Sequence, residues 1–133
     1  MHGVIDTNVL IYDTFEDSEF HSEAEKVLES LDTWYIPTIV LQEFAWFFKN
    51  NGFSVDETWE VLKGYIDDPR FRGLKNGPET VRRAFGILME ENLSLSRFND
   101  AMILVHALEK GVLVTFDSKF RELAGRRGVK VLP

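Results

Sequence analysis

Four carboxylates are the residues of this sequence whose type and position point most clearly to chemistry. Each lies where an apolar or small residue would be easier to accommodate, and they are Asp6, Glu43, Asp100 and Asp117. Burying several carboxylates together is unfavourable, because desolvation and mutual repulsion raise their pKa values unless a cation compensates. A hard divalent cation such as Mg²⁺ or Mn²⁺ suits oxygen ligands, and with phosphate oxygens in its shell it can orient and deprotonate a water. The four acids therefore predict a site for hydrolytic phosphoryl transfer.

The sequence around the acids predicts how they would be positioned. Asp6 and Asp117 each follow an apolar run typical of a buried strand, and the carboxyl ends of parallel strands open toward the same ligand-binding edge. Glu43 and Asp100 each share a helical face with apolar side chains three and four residues away.

Each acid also has a purely structural interpretation. Asp is a preferred N-cap, so Asp6 and Asp117 could cap the helices that follow them. Asp100 could stabilise a helix N-terminus through the helix dipole, and a partner Arg could satisfy Glu43. Taken singly, each acid is more often explained in this way. The joint spacing of the four acids is what favours a common site.

The composition narrows the kind of metal site. The chain contains no Cys, which excludes disulfides, thiolate zinc sites, iron–sulfur clusters and cysteine nucleophiles. The three histidines, His2, His21 and His106, are too scattered for an ordinary zinc centre. Any metal must therefore be bound mainly by carboxylate oxygen, as Mg²⁺ and Mn²⁺ are.

The charge is distributed unevenly along the chain. The net charge of −7 argues at first against nucleic-acid binding. However, residues 1–62 carry 13 acidic and 2 basic residues, a balance of −11, whereas residues 63–133 carry 13 basic and 9 acidic residues, a balance of +4. Taken alone, this division is typical of two solvated faces.

Apolar periodicity predicts alternating strands and helices along the whole chain. The predicted strands cover 3–5, 34–36, 112–115 and 129–132, with an ambiguous one at 71–74, and the predicted helices begin near residue 9 and then cover 18–31, 38–48, 54–67, 78–91, 96–110 and 118–123. This pattern predicts a single α/β domain over residues 1–133, a three-layer sandwich whose mostly parallel central sheet of four to five strands is flanked by helices. No apolar stretch approaches the ~20 residues that span a bilayer and no signal peptide is evident, so we expect a cytoplasmic protein.

Four motifs resemble the acidic motifs of the PIN-domain ribonucleases, in the same order and at the usual intervals. They are the segments 4–10, 41–43, 98–103 and 114–120, which contain Asp6, Glu43, Asp100 and Asp117 in turn. The resemblance covers essentially the whole chain; its first and last motifs together are quite specific, and the Glu motif alone is weak. In size and motif style the chain is most similar to the VapC-type toxins of prokaryotic toxin–antitoxin pairs.

The resemblance implies a function and a role for each matching residue. Asp6, Asp100 and Asp117 would bind Mg²⁺ or Mn²⁺ directly, Glu43 would bind it directly or through water, and Thr115 and Asn8 would support the site. The chain would be an endoribonuclease that attacks RNA with a metal-activated water, leaving 5′-phosphate and 3′-hydroxyl ends. A cognate antitoxin protein and a homodimer are the partners that the resemblance implies.

Basic and aromatic residues suggest further contacts. Bases near the acids would hold the flanking RNA phosphates, and they are Arg97, Lys119, Arg121, Arg126 and Arg127; the alternative is that these are ordinary exposed charges. Five aromatic residues exceed what one small helix pair needs, and they are Phe44, Trp46, Phe47, Phe48 and Trp59. Core packing explains most of them, and the others would form a dimer surface or a groove for an antitoxin helix.

Three other classes of protein fit the sequence less well than the nuclease. A non-catalytic PIN-like module would bind RNA or protein without cutting, and the intact set of acids counts against it. A phospho-receiver domain would have adjacent acids after its first strand, whereas Asp6 stands alone there. Aspartate-nucleophile phosphatases need a second Asp two residues after the first, and position 8 is Asn.

Overall fold

The central feature of the fold is a five-stranded parallel sheet, seen in a computed structural model that describes residues 1–133. The strands are β1 (His2–Ile5), β2 (Thr33–Pro37), β3 (Phe71–Leu74), β4 (Val112–Val114) and β5 (Lys130–Leu132). Their order across the sheet is β3-β2-β1-β4-β5, and every neighbouring pair is parallel. The chain therefore builds the sheet outward from β1 in one direction and then restarts on the other side of β1 with β4.

Seven helices flank the sheet. They are α1 (Thr7–Thr14), α2 (His21–Glu29), α3 (Thr38–Asn50), α4 (Val55–Ile66), α5 (Pro78–Glu90), α6 (Phe98–Lys110) and α7 (Ser118–Arg126). The predicted α/β fold class is confirmed, and the ambiguous segment 71–74 is a strand at the sheet edge. None of the helices combines the length and apolar character that crossing a membrane requires.

Local sequence signals account for several helix ends. The helix predicted from Ser54 begins with a capping box, in which the Ser54 hydroxyl accepts from the Glu57 N–H and the Glu57 carboxylate accepts from the Ser54 N–H. Gly111 ends α6 in the left-handed region, with φ of 86°, where glycine has no steric penalty.

Two predicted helices are too long. The helix predicted over 18–31 is α2, His21–Glu29, because the Ser18 hydroxyl instead donates to the carbonyls of Tyr12 and Phe15 in the turn after α1. The helix predicted from Ser96 begins as a 3₁₀ turn over Leu95–Arg97, and α6 starts only at Phe98.

The buried apolar side chains form one continuous cluster between the sheet and the helices. Helix α6 is at its centre, since all seven residues from Ala101 to Ala107 are buried. This matches a sequence that is apolar on nearly every helical face. On α3, Phe44 and Phe48 are fully buried, so core packing explains these two aromatic residues.

We predict that Gly3→Ala destabilises the protein by about 1–3 kcal/mol, as overpacking of a close-packed core does. A Cβ added at Gly3 would lie 2.7 Å from Cγ2 of Val114, a stiff side chain on the adjacent strand β4. Gly86→Ala is the matched control, because its new Cβ meets nothing within 4 Å and Ala is favoured over Gly inside a helix. Urea unfolding measures both variants, and equal stability of Gly3→Ala and wild type would contradict the tight contact between β1 and β4.

Candidate active site

The acidic residues that follow β1 and β4 meet at the point where the strand order reverses. Ile5 pairs with Val114, and the Asp6 N–H donates to the Val114 carbonyl at 3.0 Å. The chain then leaves both strands at the same edge, which carries Asp6 on one side and Thr115 with Asp117 on the other. Such a switch point is the usual ligand-binding crevice of an open parallel sheet.

The Asp6 carboxylate is buried and held by hydrogen bonds from three residues. Asp6 is 6% exposed and is the N-cap of α1, with Oδ1 accepting from the Thr7 N–H at 2.8 Å. Its Oδ2 accepts from the Thr115 hydroxyl at 2.7 Å and from the Asn8 amide at 3.1 Å. The capping interpretation of Asp6 is therefore correct, and the cap also fixes the carboxylate at the crevice.

Asn8 and Thr115 join the two loops behind Asp6. The Asn8 amide also donates to the Thr115 hydroxyl at 3.1 Å, and Asn8 Oδ1 accepts from the Phe116 N–H at 3.1 Å. The Thr115 hydroxyl accepts in turn from the Asp117 N–H at 3.1 Å. The structure thus places both expected support residues against the first acid, where a lost side chain would loosen two loops at once.

Glu43 is held from two other helices. Its Oε1 accepts from the Thr7 hydroxyl at 2.6 Å, and its Oε2 accepts from the Asn99 amide at 3.0 Å. The suggested Arg partner of Glu43 is therefore wrong. Sequence reasoning missed Thr7 and Asn99, although each is the direct chain neighbour of an acid, Asp6 or Asp100, and that adjacency was the available signal.

Asp100, in the first turn of α6, forms an ion pair with Arg97. Arg97 Nε donates to Asp100 Oδ2 at 2.9 Å, while Arg97 Nη2 is buried without a hydrogen-bond partner. Burial raises the pKa of Asp100, the Arg97 guanidinium opposes this, and the charges of Asp117 and Glu43 raise the pKa further. The ion pair therefore offsets only part of the electrostatic strain on the carboxylate.

Asp117 is the exposed member of the set. It is the N-cap of α7, with Oδ1 accepting from the N–H groups of Lys119 and Phe120. Both bonds fall on Oδ1, so Oδ2 has no protein donor. This second N-cap thus leaves one carboxylate oxygen free at the mouth of the crevice.

The negative charges of the acids raise one another's pKa values. The pKa of Asp6 is raised to about 7, chiefly by burial, with further increases from the charges of Asp100 and Glu43. Hydrogen bonds from Thr115 and Thr7 oppose the rise without cancelling it. The crevice therefore contains more negative charge than the nearby protein cation Arg97 neutralises.

The donor set fits a hard divalent cation. All four acids offer oxygen, the ligand type that Mg²⁺ and Mn²⁺ prefer. The structure contains no group of three or more His, Asp or Glu side chains placed to hold one ion together. This arrangement is compatible with Mg²⁺, which usually keeps several waters and takes one or two carboxylates together with substrate phosphate.

The five basic residues expected to contact RNA divide into two groups. Arg97 lies within the crevice, Lys119 is exposed two residues after Asp117, and Arg121 donates to the Thr115 carbonyl at 2.8 Å. In contrast, Arg126 pairs with Glu91 at 3.1 Å, and Arg127 pairs with Glu90 at 2.9 Å and Glu91 at 3.1 Å. Of the five, only Arg97 therefore bonds to an acid of the site. Lys119 and Arg121 lie near the start of the helix that Asp117 caps, and Arg126 and Arg127 are paired with acids at the end of α5.

The fold and the crevice define a class of protein: an all-parallel α/β domain with an acidic, oxygen-only site at its topological switch point. Within that class, the PIN domain family model matches residues 3–126, and the chain belongs to this family. The resemblance seen in the sequence motifs is thereby confirmed.

Solved structures share the fold over nearly the whole chain. VapC20 of Mycobacterium tuberculosis, described as a toxin that cleaves the sarcin-ricin loop, has a TM-score of 0.79 at 16% identity and covers 100% of both chains. A toxin–antitoxin complex from Klebsiella pneumoniae has a TM-score of 0.71 at 24% identity over 98% of this chain and 96% of that one. VapBC2 of Rickettsia felis, bound to promoter DNA, has a TM-score of 0.71 at 19% identity over 98% and 97%. No curated protein sequence matches the chain significantly.

We predict a pH dependence of stability that originates from Asp6. Its pKa is 3.8 in the unfolded reference and about 7 in the folded protein, so the folded state retains the proton longer. Stability attributable to Asp6 should therefore fall as the pH rises from about 4 to 7, by up to ~1.4 kcal/mol per pH unit. Above about pH 7 this contribution should not change further.

Urea unfolding in EDTA across this pH range tests the prediction, with Asp6→Asn as the variant and Glu79→Gln, an exposed acid on α5, as the control. The free energy of unfolding of wild type minus that of Asp6→Asn should fall with pH at the stated slope. Glu79→Gln should show the same pH dependence of stability as wild type. Adding Mg²⁺ or Mn²⁺ should stabilise the wild type more at pH 8 than at pH 5. A difference between wild type and Asp6→Asn that is independent of pH would contradict the raised pKa.

Proposed function

We propose that the protein is a metal-dependent endoribonuclease that hydrolyses RNA phosphodiesters, and that it is the toxin of a toxin–antitoxin pair. The observation that carries this proposal is the buried Asp6 carboxylate, whose pKa is raised by burial and by the charges of Asp100 and Glu43. Such a cluster is unfavourable for the fold alone and calls for a cation. Membership of the PIN domain family and the similarity of the fold to VapC20 support the proposal.

The proposed cofactor is Mg²⁺ or Mn²⁺. The expected ligands are Asp6, Asp100 and Asp117 directly, and Glu43 directly or through water. Since no three acids are placed to hold one ion together, we propose that one or two of the aspartates bind it directly and that the other acids act through water. When bound, such an ion would lower the pKa of a water and neutralise charge that develops on the phosphodiester. The expected products are 5′-phosphate and 3′-hydroxyl ends.

The surrounding residues have separate tasks in this proposal. Asn8 and Thr115 fix the Asp6 carboxylate, as outer hydrogen-bond partners of metal ligands commonly do. Thr7 and Asn99 fix both oxygens of Glu43. The buried, unpartnered Nη2 of Arg97 is a donor suited to a phosphate oxygen of the substrate.

Partners and location follow from the same proposal. The structures from Klebsiella pneumoniae and Rickettsia felis are toxin–antitoxin assemblies, which supports a cognate antitoxin for this chain. We also propose a homodimer, for which the exposed Phe85 and Met89 on α5 offer apolar surface at 40% and 74% exposure. A cytoplasmic location is part of the same proposal.

One observation favours a second candidate, a PIN-like module that binds RNA or protein without cutting. The Arg97–Asp100 ion pair already provides an internal counter-charge, and a site neutralised in this way would not need a metal. The raised pKa values of Asp6 and Asp100 weigh against it, because they show that the neutralisation is incomplete.

We predict a graded loss of cleavage among site variants. Asp6→Asn and Asp100→Asn should each lower the rate by at least about 100-fold, because changing only an outer partner of a metal ligand typically costs 10- to 100-fold. Thr115→Val, which keeps the shape but removes the hydroxyl bonded to Asp6, should fall in that 10- to 100-fold range. Glu79→Gln should cleave like wild type.

The assay uses antitoxin-free protein and a panel of structured and single-stranded RNAs, with Mg²⁺, Mn²⁺ or EDTA. Cleavage that persists in EDTA or survives Asp6→Asn would contradict the metal-dependent mechanism. If RNA is bound and never cut while the divalent ions leave thermal stability unchanged, the non-catalytic module is the correct alternative.

We predict that the basic residues contribute unequally to RNA binding. Lys119→Ala should weaken binding and lower the slope of log K against log salt by about one, because Lys119 is exposed beside Asp117 and free to meet a phosphate. Arg126→Ala should have a smaller effect, since its guanidinium is already paired with Glu91. Lys63→Ala, an exposed base on α4, is the control. Equal salt slopes for the Lys119 and Lys63 variants would exclude a phosphate contact at Lys119.

A further inference from the structure

A groove beside the acidic crevice is left without a role by the proposed chemistry. It has a volume of about 580 Å³ and lies along the outer face of α3. We propose that this groove is a nucleobase-binding subsite, in which Trp46 stacks on a base of the RNA while Gln42 and Asn50 contact that base's polar edge. The inference rests on the proposed ribonuclease function and adds to it the part of the protein that would contact a base.

The groove is continuous with the crevice. Glu43 and its two hydrogen-bond partners, Thr7 and Asn99, all line it. Trp46 follows Glu43 by three residues on α3, and side chains at this spacing are surface neighbours with about 5–6 Å between their Cβ atoms. A phosphate held at the acids would therefore bring the base of an adjoining nucleotide to the indole.

Trp46 is not needed by the core. Its neighbours Phe44 and Phe48 are 0% and 1% exposed, whereas Trp46 is 60% exposed. A large aromatic side chain left in water gains by being covered, and indole rings stack readily on nucleobases. The exposure of this ring is therefore explained better by a ligand than by folding.

A lysine occupies one face of the Trp46 indole. The Lys49 ammonium lies 4.0 Å from the centroid of the Trp46 ring. Lys49 lines a neighbouring groove with Trp59 and does not line the groove beside Glu43. We infer that the ammonium covers the ring face that is turned away from the groove beside Glu43. The face toward that groove is then left for a base, and the ammonium lies where the next phosphate would pass.

The lining of the groove suits a base better than a phosphate. Glu43 is its single charged residue, and no Lys or Arg lines it, so an anion would find no compensation there. The aromatic and apolar side chains offer a flat neutral surface, and the amides of Gln42 and Asn50 offer both donors and acceptors. A neutral planar heterocycle with a polar edge has complementary properties.

A segment of a partner protein is the competing occupant, because an apolar side chain could also cover the indole. The continuity with the acids and the amides on the groove wall favour RNA. The experiment must therefore separate a base from a protein side chain, and both from a structural role of Trp46.

The test measures the affinity of single-stranded oligoribonucleotides in the Asp100→Asn background with Mg²⁺, so that the RNA stays intact. Trp46→Ala is compared with Trp46→Phe, which keeps an aromatic ring, and with Trp59→Ala, which removes the exposed indole on α4. Each is titrated with an intact oligonucleotide and with a series that carries one abasic residue at successive positions. Circular dichroism verifies the fold, and intrinsic fluorescence reports whether Trp46 is quenched by RNA.

We expect Trp46→Ala to weaken binding of intact RNA by about 5- to 150-fold, the range for loss of one stacked base, and to abolish RNA-induced quenching. Trp46→Phe should retain most of the affinity, and Trp59→Ala should bind like wild type. For one abasic position, wild type and Trp46→Ala should bind equally, since the base that the indole contacts is missing.

Two results would overturn the subsite. The first is unchanged RNA affinity in Trp46→Ala, which would show that no base stacks on the indole and would leave a partner protein as the competing occupant. The second is a loss of affinity in Trp46→Ala, relative to wild type, that is the same for intact RNA and for RNA with any abasic position. That result would show that Trp46 has a structural role and does not contact a particular base. If wild type still cleaves RNA in either case, the ribonuclease proposal stands and only the subsite is wrong. If wild type neither binds nor cleaves any RNA of the panel, both proposals are wrong.

Discussion

The arrangement of the crevice depends on one buried carboxylate, that of Asp6. Parallel pairing of β1 with β4 brings it beside Thr115, and the hydrogen bonds of Thr115, Asn8 and Thr7 hold it there against its own desolvation. These same bonds attach the two loops at the switch point to each other. Burial of Asp6 thus destabilises its negative charge, which a bound cation would offset. The hydrogen bonds that this buried position allows also hold the two loops together.

Capping and ligand chemistry are not alternatives in this protein. Asp6 and Asp117 are both N-caps, and each is also an acid of the crevice. A cap requires the carboxylate to sit at the start of a helix, and in a parallel α/β sheet helix starts lie at the ligand-binding edge. The structural explanation of these residues therefore places them where the functional explanation needs them, so sequence patterns alone could not separate the two.

Sequence reasoning reached the fold and the acids because both depend on local patterns. Apolar periodicity predicts the alternation of strands and helices. Asp6 and Asp117 follow apolar runs, and Glu43 and Asp100 share helical faces with apolar side chains. It did not reach the partners of those acids, since Thr7 and Asn99 contact Glu43 across 36 and 56 residues of chain. For the same reason it could not tell that Arg126 and Arg127 meet acids at the end of α5. Nor could it tell which aromatic residues of α3 remain exposed.

The burial of helix α6 restricts how the region around Asp100 can change. Seven consecutive residues of this helix are buried, and Asp100 precedes them in its first turn. A segment so enclosed opens only with the whole core, and Asp100 stands directly before it in the chain. The outer face of α3 has no such constraint at Gln42, Trp46 and Asn50, which are all exposed. Substitutions there should cost the fold little, so this face can change in sequence while the acids keep one geometry.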